Sequence, residues 1–558
     1  MNESRKDWFR EDFLDGRRPY FWIAAVIILL YLKTLGYGYT HLDDNILILK
    51  NQAFLSNIAN IGRIFTQKVF MGNTLPYYRP VLITSFMLDA QIGGVNLFFY
   101  HVTNIILHIL GASLVFSILS KLAYRRDLSF LFSMAFAVHP ILTQAVAWVP
   151  GRNDTLLAVC AFSSFLFFMD FADTKKWGYY AAHMACFFLG MITKESAIIV
   201  IPVSFLYVKL IERDHFRLRD YAALAAGWLA TLGIWFFLRE AALRDTPRMP
   251  ALDMVISLFV YSPSIIQYIG KAFFPFNLSV LPTIKNTVFL YGIAATALLA
   301  TLVFRSKEKR ANFAAFGLLW LILFLVPPLL GPNALFLNDM LEHRFYVAML
   351  GLIIMLLETD IVKKFDYKKT ASLAAAGAIL ALFSTIVFVH SENFKDKYAF
   401  WNNACDTSIH SYFPRINLAF MYYLDGDLEK AEAAVNKTLK IEPQSIRSHY
   451  YLGLIALKRE DLDTADREFR KEIALYPFYD NSYMCLGIVR YRQGAHAEAE
   501  SLWKTALELN PDNPDALKNL SIFYRDKKEI KKAIYYVEEL RKRNIEPPRD
   551  FLDSLDIK

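Results

Sequence analysis

Long apolar runs separated by short charged loops fill residues 1–390, and at about residue 391 this pattern gives way to a polar, charge-rich stretch. A helix needs about 20 apolar residues to cross a bilayer. Runs of that kind lie near 20–38, 98–122, 128–147, 154–173, 177–193, 196–211, 220–238, 287–305, 312–330, 345–361 and 370–390, which predicts about eleven spans. Segment 253–275 is apolar too. It is broken by Ser262, Pro263 and Pro275, and reads as interfacial or re-entrant. The first run follows a charged segment and no small-residue cleavage site follows it, so it reads as a signal anchor that stays in the membrane.

Alternate loops differ in charge. One set carries Arg5, Lys6, Arg10, Arg17 and Arg18, then Arg125 and Arg126, then Lys175 and Lys176. It continues with Lys209, Arg213, Arg217 and Arg219, then Arg305, Lys307, Lys309 and Arg310, then Lys363, Lys364, Lys368 and Lys369. The positive-inside rule places that set, with the N-terminus, in the cytoplasm. Eleven crossings then put the C-terminal part on the far side, periplasmic in a bacterium or lumenal in the endoplasmic reticulum.

From about residue 412 a second pattern takes over, with a period of 34. Ala431, Ala465, Ala499 and Ala533 repeat at that interval, as do Pro443, Pro477 and Pro511. Leu418-Ala419, Leu452-Gly453, Leu486-Gly487 and Leu520-Ser521 occupy equivalent places. This is the tetratricopeptide period, one helix hairpin per unit, and such units stack into a solenoid. The expected fold is therefore all-α: a polytopic helix bundle followed by a soluble α-solenoid. The expected divisions are a cytoplasmic segment 1–19, a transmembrane domain 20–390 with a long first outer loop 39–97, and a linker 391–411. Four repeats follow at 412–445, 446–479, 480–513 and 514–547, then a tail 548–558. The array is read as a peptide- or partner-binding surface, or as a rigid spacer or dimerisation module.

Composition changes this picture little. The chain of 558 residues is 55% hydrophobic and 20% charged, averages over two unlike parts. The net charge of +8 comes from loop lysines and arginines and does not point to nucleic acid. Cys160 and Cys186 lie in apolar runs, and Cys405 and Cys485 are far apart, so neither a disulfide framework nor a zinc site is expected.

Polar groups at membrane depth are costly, which makes those that persist candidates for function. Asp43-Asp44 follows the first run, and two adjacent carboxylates there can hold a metal, take a proton or simply be solvated. Arg79 stands in Tyr77-Tyr78-Arg79-Pro80. His101, Asn104 and His108 share one side of a helix, where hydrogen bonding within the bundle is the plain reading. His139-Pro140 leads to Trp148-Val149-Pro150-Gly151-Arg152-Asn153-Asp154, where Arg152 and Asp154 either serve a site or pair with each other. Lys194-Glu195 stands between two apolar runs, and Glu342-His343-Arg344 with Tyr346 precedes another. In the predicted topology all of these reach the non-cytoplasmic face.

Those stretches, in that order and with repeats behind them, resemble the transmembrane and tetratricopeptide-repeat O-mannosyltransferases and their bacterial relatives, in the C-type glycosyltransferase superfamily. The stretch from His139-Pro140 through Gln144 to Gly151-Arg152-Asn153-Asp154 carries the likeness most specifically. The chain departs from the family in having Gln144 where Glu is frequent and Ala348 where Pro is frequent, and its repeat array is short. The resemblance implies a polyprenyl-phosphate sugar donor, with mannose expected, and a Ser or Thr hydroxyl of an exported polypeptide as acceptor. No cofactor is assigned, and no metal ligands are expected. In that reading Asp43 or Asp44 removes the hydroxyl proton. Arg79, His139, Arg152, Asp154, Lys194, Glu195, Glu342, His343 and Arg344 hold the donor phosphate or substrate, and the repeats hold the acceptor polypeptide. The alternatives are a related transferase acting on lipid or glycan, a membrane-anchored repeat scaffold, and a transporter of lipid-linked sugars.

Overall fold

The computed structural model describes residues 10–69, 77–212, 216–244, 250–330, 340–543, 545, 549–553 and 555. Arg5, Lys6 and Arg213 of the basic loops, and part of the tail 548–558, lie outside them. All the regular elements among the described residues are helices, with no strand, and the chain divides into two compact units, Met1–His410 and Ser411–Lys558.

In the first unit, six helices among the described residues are long and apolar enough to cross a membrane, or eight if two bent pairs each count as one span. The count of eleven is not reached because several apolar runs do not make one long helix. The run at 177–193 gives the 15-residue helix Trp177–Met191, and the run at 345–361 gives the 9-residue helix Met349–Leu357. The run at 287–305 gives the 17-residue helix Phe289–Arg305, and that at 196–211 is divided into three short helical stretches. Residues 128–147 bend by 50° at His139-Pro140, where proline ends the regular ladder. Segment 253–275, read as interfacial or re-entrant, is a pair of helices bent by 41° at Ser262-Pro263.

Small residues let these helices touch. A Cβ on Gly351 would stand 2.4 Å from the carbonyl oxygen of Gly317, so helices Ala311–Leu329 and Met349–Leu357 meet backbone to backbone. Around them Phe165, Phe316 and Trp320 form a fully buried aromatic cluster.

The basic loops come together at one end of the unit. Glu358 accepts hydrogen bonds from Tyr124, Arg310 and Lys363, while Arg125 donates to the Lys363 carbonyl and Arg126 to those of Leu14 and Gly16. Lys121 pairs with Asp170 at 2.7 Å, near the far end of helix Arg152–Thr174. Asp154 and Asp170 are 16 residues apart on that helix, about 24 Å at 1.5 Å per residue. Residues 391–411, expected as a linker, are instead packed: helix Lys397–Thr407 buries Phe400, Trp401 and Ala404 within the first unit. Aromatic anchors turned a polar-looking stretch into core.

The second unit consists chiefly of four helix hairpins, from Phe413–Leu424 with Leu428–Ile441 to Pro514–Asp526 with Ile530–Lys542. The alanines at the 34-residue interval are fully buried. The Leu-Gly position is small because a Cβ on Gly487 would meet the Trp503 ring at 2.4 Å. The turn inside each hairpin uses a left-handed residue at the same interval: Gly426, Glu460, Gly494 and Lys528.

Candidate functional site

One cavity in the first unit gathers Asp43, Arg79, Lys194, Glu195, His343 and Arg344, from four separated stretches of chain. Trp148, Asn153, Tyr261, Tyr268 and Pro327 complete much of its wall.

The two adjacent aspartates part ways. Asp44 is buried and ends the turn as its cap, accepting from the Thr40 N–H at 2.6 Å, the Thr40 hydroxyl at 2.9 Å and the Asn45 N–H at 2.8 Å. Burial pushes its carboxyl above the ordinary range despite those donors. Asp43 is half-buried and lines the cavity. The same turn is braced by the Trp148 indole, which donates to the Thr40 hydroxyl at 3.2 Å.

Arg79 lies against the Tyr77 ring, its guanidinium carbon 4.4 Å from the centroid. With the Asn153 amide in its better-satisfied orientation, Asn153 accepts from Arg79 and donates to the Thr193 carbonyl. Lys194 donates to both carboxylate oxygens of Asp154, at 2.7 and 2.9 Å. His343 places Nε2 3.7 Å from Asp154, while its Nδ1 and backbone N–H both reach Gln144 Oε1, at 3.0 and 3.2 Å. The Gln144 amide in turn donates to the Val280 carbonyl at 2.8 Å. Burial and the cations Lys194, Arg344 and Arg79 bring the His343 imidazole down to about 3, against the opposing pull of Asp154. Burial likewise lowers Lys194, although Asp154 favours its charged form. The cavity thus offers two half-buried carboxylates, Asp43 and Glu195, a neutral imidazole at ordinary pH and two guanidinium groups.

Other residues named from sequence are held elsewhere. Arg152 is fully buried and committed to partners: Asp89 at 2.6 Å, Asn104 Oδ1 at 2.7 Å, the Tyr100 carbonyl at 2.6 Å and the Ser85 hydroxyl at 3.1 Å. It does not pair with Asp154, and it does not line the cavity. His139 caps the turn at Pro140, accepting from the Ile141 N–H at 3.3 Å, while its Nε2 meets the Ala272 carbonyl at 3.0 Å. Glu342 is buried between Lys271, at 2.6 Å, and the Ser279 N–H, at 3.0 Å. Burial opposes its ionisation, but Lys271 and His390 outweigh that and hold the carboxyl below its usual range. Asn104 and His108 bond within the bundle, His108 to the Tyr346 hydroxyl at 2.7 Å.

Sequence reasoning missed Lys271 and Asp89 as ion partners and left Gln144 without a role. Lys271 had a signal, being a lone cation inside the apolar run 253–275. Asp89 had a similar one in helix Pro80–Gly93.

Residues 80–238 match the family described as dolichyl-phosphate-mannose-protein mannosyltransferase, and residues 486–545 match the tetratricopeptide repeat. The chain is 30% identical over 195 residues to human protein O-mannosyl-transferase TMTC2, covering 33% of this chain and 23% of that protein. It is 30% identical over 202 residues to human TMTC1, covering 33% and 23%, and 31% identical over 183 residues to Drosophila melanogaster Tmtc1, covering 31% and 21%. The chain therefore spans less than a quarter of the length of these relatives. A match to the dolichyl-phosphate-mannose-protein mannosyltransferase family over residues 80–238, with a tetratricopeptide-repeat match behind it, is the combination that the resemblance in the sequence pointed to.

Proposed function

We propose that this chain is a membrane O-mannosyltransferase that moves a sugar from a polyprenyl-phosphate donor to a Ser or Thr hydroxyl of an exported polypeptide. The observation that carries this reading is the shared cavity of Asp43, Arg79, His343 and Arg344. A hydroxyl is a weak nucleophile. Asp43 takes its proton as the oxygen attacks the sugar's anomeric carbon, and the bond from that carbon to the phosphate oxygen breaks on the opposite side. Charge then grows on the departing lipid phosphate, where Arg79 and Arg344 stabilise it through planar, two-pronged hydrogen bonding. One displacement inverts the anomeric configuration. Asp44 is assigned to the fold, since its carboxylate already caps the turn. Lys194, paired with Asp154, shapes the electrostatics of the wall, and it is chiefly burial that keeps His343 neutral. Arg152 and Glu342 act as buried struts.

The cavity is assigned to the non-cytoplasmic face. The basic loops gather around Glu358 and Lys121, about 24 Å along helix Arg152–Thr174 from Asp154, close to the ~30 Å depth of a bilayer core. The positive-inside rule gives that end to the cytoplasm. The repeats are assigned to holding the acceptor polypeptide, on the strength of their fold class alone.

The test is purified full-length protein incubated with polyprenyl-phosphate mannose and acceptor peptide. Free polyprenyl phosphate and mannosylated peptide are expected in equal amounts. Asp43→Asn should abolish both while leaving folding intact. Undiminished release by Asp43→Asn removes the proposed base, and sugar recovered only on lipid or glycan replaces the acceptor assignment.

A further inference from the structure

Helix Thr370–Ser391 has the length and apolarity to cross a membrane, yet of its 22 residues only Val387, His390 and Ser391 are buried. Its residues 372–383 form one wall of a groove whose other walls come from 128–139 and 349–356. His139, Lys364 and Ser372 are the only polar groups among the residues lining it, and it shares none of them with the cavity described above. His139 is already engaged with the Ala272 carbonyl, so the groove's interior is apolar.

The dimensions and the charge both bear on what fills this space. From Ser372 to Phe383 is eleven residues of helix, about 16 Å, or roughly half of a ~30 Å hydrocarbon core. The groove is thus one leaflet deep. Its rim takes in the exposed Lys364 and its neighbour Phe365, which stand within the basic stretch Lys363-Lys364-Phe365-Asp366-Tyr367-Lys368-Lys369. Of the nearby acids, Glu358 pairs with Lys363 and Arg310, and Asp360 accepts from the backbone N–H groups of Lys307 and Glu308 while its charge also acts on Lys364. An apolar trough opening at a basic rim matches a hydrocarbon chain carrying an anionic headgroup.

We infer that this groove seats an acyl chain of an anionic phospholipid, with the headgroup phosphate at Lys364. The inference needs only that the first unit lies in a membrane. It does not depend on the chemistry proposed for the cavity. The sugar donor is a different occupant: its phosphate is assigned to Arg79 and Arg344, which line the other cavity.

The test uses full-length protein in mild detergent, exposed to mixed micelles of phosphatidylglycerol, phosphatidylcholine or polyprenyl phosphate. Retained lipid is counted by native mass spectrometry, and the unfolding temperature is measured in parallel. Phosphatidylglycerol is expected to stay bound through delipidation and to raise the unfolding temperature, and phosphatidylcholine to do neither. Lys364→Ala should cut phosphatidylglycerol retention about fivefold, the effect of one basic residue at an anionic surface. Ala376→Trp, which fills the groove, should abolish it. Lys364 is exposed, so its variant decides the matter even if the tryptophan variant does not fold. Equal retention of the two phospholipids, undiminished phosphatidylglycerol binding by Lys364→Ala, or displacement of phosphatidylglycerol by polyprenyl phosphate would each overturn the inference.

Discussion

Lys194 Nζ lies 2.7 Å from one carboxylate oxygen of Asp154 and 2.9 Å from the other, and both residues are buried. Removing one member of such a pair strands the other charge, at a cost of about 3–5 kcal/mol. Lys194→Met should therefore lower the unfolding temperature sharply. Lys194→Met combined with Asp154→Leu should recover much of that loss, because the stranded charge is gone. Transfer activity should stay low in the double variant, since the cavity wall has lost its charged pair. Equal stability of single and double variants would show that the pair is not coupled.

His343 carries a pH signature. In the unfolded chain its imidazole takes a proton near 6.5, whereas in the fold it does so only at about 3. Between those values the unfolded state binds more protons, so the contribution to stability is whole above pH ~6.5 and is lost as pH falls towards ~3. His343→Gln removes this dependence. Its unfolding temperature, measured at about pH 7 and about pH 4.5, should fall less than that of the parent.

Gly151 is required by proximity. A Cβ there would stand 2.4 Å from the Gln144 carbonyl oxygen and 3.0 Å from the Ala145 Cα, both backbone atoms with little room to yield. Gly151→Ala should cost about 1–3 kcal/mol through overpacking. It should also reduce transfer, because Gln144 holds His343. A variant with parental stability would show that the turn relaxes freely.

The repeat unit offers a stabilising change. Glu460 and Lys528 hold the left-handed turn conformation that glycine fills at Gly426 and Gly494. Both are exposed, and side chains in that conformation are strained. Glu460→Gly and Lys528→Gly should each raise the stability of the repeat unit by about 0.5 kcal/mol, the relief of strain exceeding glycine's entropic cost. Denaturant unfolding followed by circular dichroism measures this, and a loss of stability would contradict it.

The parts of the fold that repeat or average were readable in the sequence. The 34-residue interval survives in buried alanines because every hairpin meets its neighbour in the same way. Apolar runs identify membrane helices by composition, but composition carries no bend, so 128–147 and 196–211 read as straight spans. In the candidate site, chemical type was legible and commitment was not. Asp43 and Asp44 are neighbours in sequence, and only the turn geometry sends one to the cavity and makes the other a cap. Arg152 looks like a phosphate ligand until Asp89, Asn104 and Tyr100 arrive from other helices to occupy it. Glu342 was paired with Lys271 across 71 positions, a distance no local pattern spans.

The bridge through Gln144 extends further than the cavity. From the His343 ring it passes through the Gln144 amide to the Val280 carbonyl, and the Val280 N–H continues at 3.1 Å to the Asn403 side chain on helix Lys397–Thr407. Three hydrogen bonds, the Gln144 side chain and the backbone of one residue, Val280, thus tether the imidazole to a helix near the end of the first unit. Tugging that helix by about 1 Å would drag the ring with it, and an error of that size can slow a well-aligned reaction about a hundredfold.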